Sequence, residues 1–111
     1  MSSVFPKMIT DLPEADIPFK GAKGYLSQGE NYQIIFAEFK KDADIPEHSH
    51  KSQWEAVIAG KVDYMGEGKK ITYKKGDWFF IPSGQRHAAH VYAGYASIMF
   101  FNEKERYKLK K

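Results

Sequence analysis

At 111 residues the chain is long enough to bury one core and too short for two, so one domain over 1–111 is expected. A composition that is 42% hydrophobic, 28% charged and 15% aromatic excludes a disordered chain, and the aromatic share favours strands, whose pleated surfaces suit Phe, Tyr and Trp. Formal charge is +3, but Lys7, Lys104, Arg106, Lys108, Lys110 and Lys111 supply much of the excess from the two ends, which reads as solvated termini and not as a nucleic-acid surface. With no cysteine, disulfide and thiolate chemistry are excluded, and a reducing cytoplasm is the expected compartment. No apolar run is long enough to span a membrane and the N-terminus has no signal-peptide core, so no membrane partner is expected.

Residues 1–31 carry Pro6, Pro13 and Pro18 and read as an extended N-terminal arm that lays one or two edge strands on the remainder. The all-β core is expected over about 32–101. Tyr32 to Phe39 forms its first strand, closed by a charged turn from Lys40 to Asp44. Gln53 to Tyr64 reads as one strand bent at Gly60, Gly66-Glu67-Gly68 as a hairpin turn, and Ile71 to Tyr73 as the return. Gly76-Asp77 and Pro82-Ser-Gly84 are turn signals on either side of the strand Trp78 to Ile81. Arg86 to Tyr92 and Tyr95 to Phe101, separated at Gly94, complete the set. Residues 102–111 form a C-terminal tail, in which Glu103 to Lys111 is the one stretch with helical potential.

Two strands are apolar on both faces: Trp78 and Phe80 oppose Phe79 and Ile81, and Ile98 and Phe100 oppose Met99 and Phe101. One face of each enters a barrel, so the other needs a cover, either the N-terminal arm or, as expected here, a second copy in a homodimer.

The chemistry-bearing residues fall in two short segments. His48 and His50 are two apart, so on a strand their rings share a face and can converge on one ion. Gln53 and Glu55 also share a face, and the apolar positions Val57 and Ala59 on that face point it inward. A carboxylate buried at Glu55 needs a compensating partner such as a cation. His87 enters its strand just after the turn at Pro82 and Gly84, whereas Arg86 and His90 alternate with it and are expected on the outside. Trp54 and Trp78 read as packing residues.

At this point the residues resemble a family. Gly76-x5-Pro82-x-Gly84-x2-His87 is similar to the second cupin motif, with Val91 where that motif commonly ends in Asn. His48-x-His50 through Gly60 resembles the first, in which a Glu lies seven residues before the closing glycine. Counting back from Gly60 reaches Gln53. The resemblance to small single-domain, RmlC-like cupins implies a double-stranded β-helix (jelly-roll) barrel holding one divalent metal ion (Zn, Ni, Mn or Fe) on His48, His50, Gln53 and His87. The interval from His50 to Gln53 is shorter than usual, which leaves Glu55 a rival fourth ligand. The His-His-Gln-His set and the closing segment Phe100 to Tyr107 are similar to small metal-binding cupins that open unsaturated uronates, although those enzymes use an acidic residue where this chain has Asn102, followed by Glu103. By that resemblance the chain is a metal-dependent isomerase or lyase on a small anionic, sugar-like substrate, with Glu55 as general base and Arg106 holding a carboxylate. An iron-dependent cupin dioxygenase and a non-catalytic ligand-binding cupin remain open.

Overall fold

The computed structural model describes residues 3–110. A four-residue helix, α1 (Lys7–Thr10), precedes ten strands: β1 (Glu14–Ala15), β2 (Ala22–Gln28), β3 (Gln33–Phe39), β4 (Ala43–His48), β5 (Gln53–Ala59), β6 (Lys61–Gly66), β7 (Lys69–Lys74), β8 (Trp78–Ile81), β9 (His87–Val91) and β10 (Ala96–Phe101). All pairings are antiparallel. Two sheets result, one in the order β1-β2-β3-β10-β5-β8 and the other β4-β9-β6-β7. Their facing sides enclose the core, which makes the molecule the jelly roll expected from the sequence. No helix among the described residues is long and apolar enough to cross a membrane.

Strict alternation sets which residues enter. Gln33, Ile35, Ala37 and Phe39 of β3 are buried, as are Gln53, Glu55 and Val57 of β5 and Phe79 and Ile81 of β8. The expected single strand from Gln53 to Tyr64 is two strands in different sheets. Gly60 turns the chain between them at φ +70°, and a Cβ there would lie 2.8 Å from the Gly94 carbonyl oxygen, so only glycine fits both the dihedral and the close approach.

Three further expectations change. The charged turn after β3 is shorter than predicted, because β4 already begins at Ala43. The tail is not helical: Leu109 bridges Ala15, the amides of Asp16 and Lys110 bond to Lys108 O and Glu14 O, and Gln33 grips Tyr107 through both its amide ends. A helix of about nine residues is marginal in water, so these sheet-edge partners win; Lys111 lies outside the described residues. Finally, Trp54 and Trp78 are not buried packing residues. They lie on the outer face of the six-stranded sheet, ring centroids 6.5 Å apart.

The arm does cover part of that outer face. Phe5, Ile9 and Leu12 pack against Tyr25, Phe36 and Ile98, over β2, β3 and β10. Toward β5 and β8 the cover stops, leaving Trp54, Trp78, Phe80 and Phe100 exposed in cross-strand register: Phe100 pairs with Trp54, Trp54 with Phe80, and Ala56 with Trp78.

Candidate metal centre

Four strand ends meet at one end of the barrel. His48 closes β4, Gln53 opens β5, His87 opens β9 and Phe101 closes β10, with His48 paired to His87 and Gln53 to Phe101 across the ladders. His50 lies past the end of β4, so the two-residue strand geometry expected for His48 and His50 is not what brings them together. The β4–β9 register shifts between Ile45 and His48, just before the histidine pair. The outcome is nonetheless convergence: one ring nitrogen from each of His48, His50 and His87 lies within 4.8 Å of the others.

The rings are held in one tautomer. His48 Nδ1 lies 2.8 Å from Pro46 O, His50 Nδ1 2.7 Å from Lys51 O and His87 Nδ1 2.9 Å from Gln85 O. A carbonyl only accepts, so each Nδ1 carries the proton and each Nε2 a lone pair. Burial pushes the His50 imidazole down to about 4, with the nearby Arg106 charge acting in the same direction, and burial lowers His87 as well. Near neutral pH both are uncharged donors. Tyr64 stacks against His87, and Phe101 meets His50 edge-on. His50 Nε2 is buried with no hydrogen-bond partner. An orphaned lone pair is costly in a protein interior unless a donor or a cation takes it, and three convergent imidazoles suit a divalent transition ion. The residues present fit such a group.

Gln53 and Glu55 both point inward, as the alternation predicts. They do not sit independently a strand step apart: Gln53 Nε2 donates to Glu55 Oε1 at 2.7 Å, and the Tyr95 hydroxyl donates to Glu55 Oε2. Tyr95, missed from sequence, follows Gly94 and shares its inward phase with Met99 and Phe101, a phase visible only once the strand limits are known. Burial pushes Glu55 up to about 6 from 4.5, against the hydrogen bonds from Tyr95 and Gln53; the Ser97 hydroxyl beside it forms no well-aligned bond. The raised value has a sign. A protonated Glu55 favours the fold below about pH 4.5, and that contribution is lost as pH rises through 6. Metal-free Glu55→Gln is therefore expected to be more stable than the parent at pH 8, by on the order of 2 kcal/mol, with the gain fading below about pH 5. Thermal melts across pH check this; a gap of constant size at every pH would refute it.

Arg106 is neither a free tail arginine nor far from the histidines. Its guanidinium lies over the Tyr107 ring at 4.5 Å, donates to His48 Nε2 at 3.3 Å, and keeps Nε buried without a partner. On its inner side is a cavity of about 60 Å³ lined by Gln53, Glu55, Tyr64, His87 and Met99; on its outer side is a groove of about 430 Å³ between Pro18, Phe19, His50 and Glu103. Glu103 accepts from the Lys51 amide. Arg86 and His90 face outward as predicted, paired with Glu47 and Asp44.

Comparison with known proteins agrees with this architecture. Residues 35–97 match the family model described as a cupin domain. The chain belongs to the cupin family. A curated relative, an uncharacterised protein of Aquifex aeolicus (strain VF5), is 31% identical over 90 residues, covering 74% of this chain and 72% of its own. Among solved structures, an RmlC-like cupin from Shewanella frigidimarina NCIMB 400 superposes with a TM-score of 0.75 at 23% identity, covering 95% of each chain. KdgF from Halomonas sp. superposes with a TM-score of 0.72 at 19% identity, covering 95% of this cupin and 97% of that chain. At these identities the structural matches establish the fold.

Proposed function

We propose that this cupin holds one divalent ion on His48, His50, His87 and Gln53 and acts as an isomerase or lyase on a small anionic, sugar-like substrate. The observation that carries the reading is the convergence of three Nε2 atoms, pinned by their Nδ1 carbonyl bonds, with that of His50 unpartnered and that of His48 accepting from the Arg106 guanidinium, a bond that an ion would replace. Since imidazole and amide donors are neutral, a bound ion would keep its full charge and supply Lewis acidity toward a substrate oxygen. Arg106 would pair with the substrate carboxylate, its plane held by Tyr107 and its Nε without a partner. The outer groove admits a small molecule, and the mostly apolar inner cavity excludes bulk water from beneath it. The sequence resemblance to uronate-opening cupins supports the substrate class, and the match to KdgF supports the fold that would present it. A cysteine-free composition supports a cytoplasmic setting, and the bare aromatic face supports a homodimer.

Protein purified without an affinity tag is expected to carry about one divalent ion per chain by elemental analysis and to convert an unsaturated uronate, followed by NMR. Arg106→Ala should keep the ion and raise KM about 10- to 100-fold, the cost of one charge-assisted pair. An unchanged KM would remove Arg106 from substrate recognition. Uronate bound and recovered unaltered would make the protein a binding cupin, and iron with consumption of dioxygen would make it a dioxygenase.

A further inference from the structure

Glu55 has two oxygens and two donors, and neither donor is a cation. Gln53 Nε2 holds Oε1 and the Tyr95 hydroxyl holds Oε2, in a pocket where Gln53 is 6% and Glu55 5% exposed. Proton transfer to a substrate would oblige Glu55 to release one of them. The arrangement has a different consequence. An ionised carboxylate only accepts hydrogen bonds, so it binds the NH2 end of an amide and never the oxygen end. The end of Gln53 turned away from Glu55 is therefore its oxygen, on a side chain that lines the same cavity as His48 and His87.

We infer that Glu55 is a positioning residue: anchored by Tyr95, it locks the Gln53 amide so that the oxygen, the one end able to ligate a cation, is presented to the three histidines. This rests on the metal-centre reading above. Without the lock, rotation about the last side-chain torsion would offer the NH2 group, which has no lone pair to give. The same contact polarises the amide oxygen, as carboxylates do behind ligating imidazoles.

Metal-free protein titrated with Co(II) tests the inference through affinity and the visible ligand-field spectrum. Glu55→Met, which keeps chain length but offers no comparable acceptor, is expected to weaken Co(II) binding about 10- to 100-fold and to give the same altered spectrum as Gln53→Ala. In the Gln53→Ala background the Glu55→Met change should have no further effect on affinity, because it acts through Gln53. Glu55→Gln, which preserves packing if the methionine variant does not fold, offers an NH2 as well as a carbonyl. With the Tyr95 hydroxyl still donating to that carbonyl, its NH2 faces the Gln53 amide and draws the oxygen end away from the histidines, so this variant too is expected to weaken Co(II) binding and alter the spectrum. Parent-like affinity and spectrum in Glu55→Met or in Glu55→Gln overturns the inference. So does cobalt loss in Glu55→Met alongside an unaffected Gln53→Ala, which would make Glu55 itself the ligand. Cobalt retained by folded His87→Ala would instead remove the metal centre.

Discussion

His87→Ala is expected to lose stoichiometric metal binding, with affinity for a divalent ion falling by more than about 100-fold. His87 is the most buried of the three histidines and stands between Tyr64 and the His48 ring, 4.4 Å from the latter centroid to centroid. Its Nε2 cannot be replaced by a shift of a neighbour, because His48 is tied to Pro46 O and His50 to Lys51 O through their other nitrogens. Changing partners that merely support a metal ligand costs about 10- to 100-fold, so removing a ligand should cost more. The truncation also empties a buried site beside Tyr64, which is expected to lower stability by about 1–3 kcal/mol. Circular dichroism must therefore show a folded protein before elemental analysis is read, and His87→Gln serves as a second variant that fills more of the space. A folded His87→Ala protein with full metal content would end the proposed centre.

The second large effect concerns assembly. Trp78 is 63% exposed, Phe80 57%, and Trp54 and Phe100 39% each, in one contiguous cross-strand patch beyond the reach of the N-terminal arm. With aromatic side chains of 150–250 Å², this is on the order of 400 Å² of apolar surface per protomer. Burying it would contribute about 10 kcal/mol on each side at 25 cal/mol per Å², against an association cost of about 4–15 kcal/mol. The balance favours a homodimer at micromolar concentration, seen in sedimentation as twice the 12.8 kDa chain mass. Trp78→Glu, at a position that costs the isolated fold little, should return a monomer with an unchanged melting profile at low concentration. A parent protein that sediments as a monomer at every concentration would sink the idea.

Much of the barrel was legible from residue order alone, because burial in a two-layer sheet imposes a period of two. Phe79 and Ile81 against Trp78 and Phe80, Gln53 and Glu55 against Trp54, and His87 against Arg86 and His90 all segregate as alternation demands. Turn chemistry at Gly60, Gly84 and Gly94 marked most strand limits for the same local reason: each takes a positive φ. Convergence of three histidines was also readable, since their spacing matched two motifs of one family. What sequence could not supply is whatever depends on partners distant along the chain. The tail became a sheet edge and not a helix because Gln33 and the β1 backbone, far away in sequence, satisfy its polar groups. The two-sided apolar strands did not reveal which face was outer; only the opposite sheet and the arm decided that Trp54 and Trp78 stay bare. Nor could residue order place Arg106 against His48, 58 positions away, or give Glu55 the Tyr95 hydroxyl 40 residues on. Period and turn chemistry are local, whereas charge compensation and hydrogen-bond satisfaction are settled by whichever groups the closed barrel brings within reach.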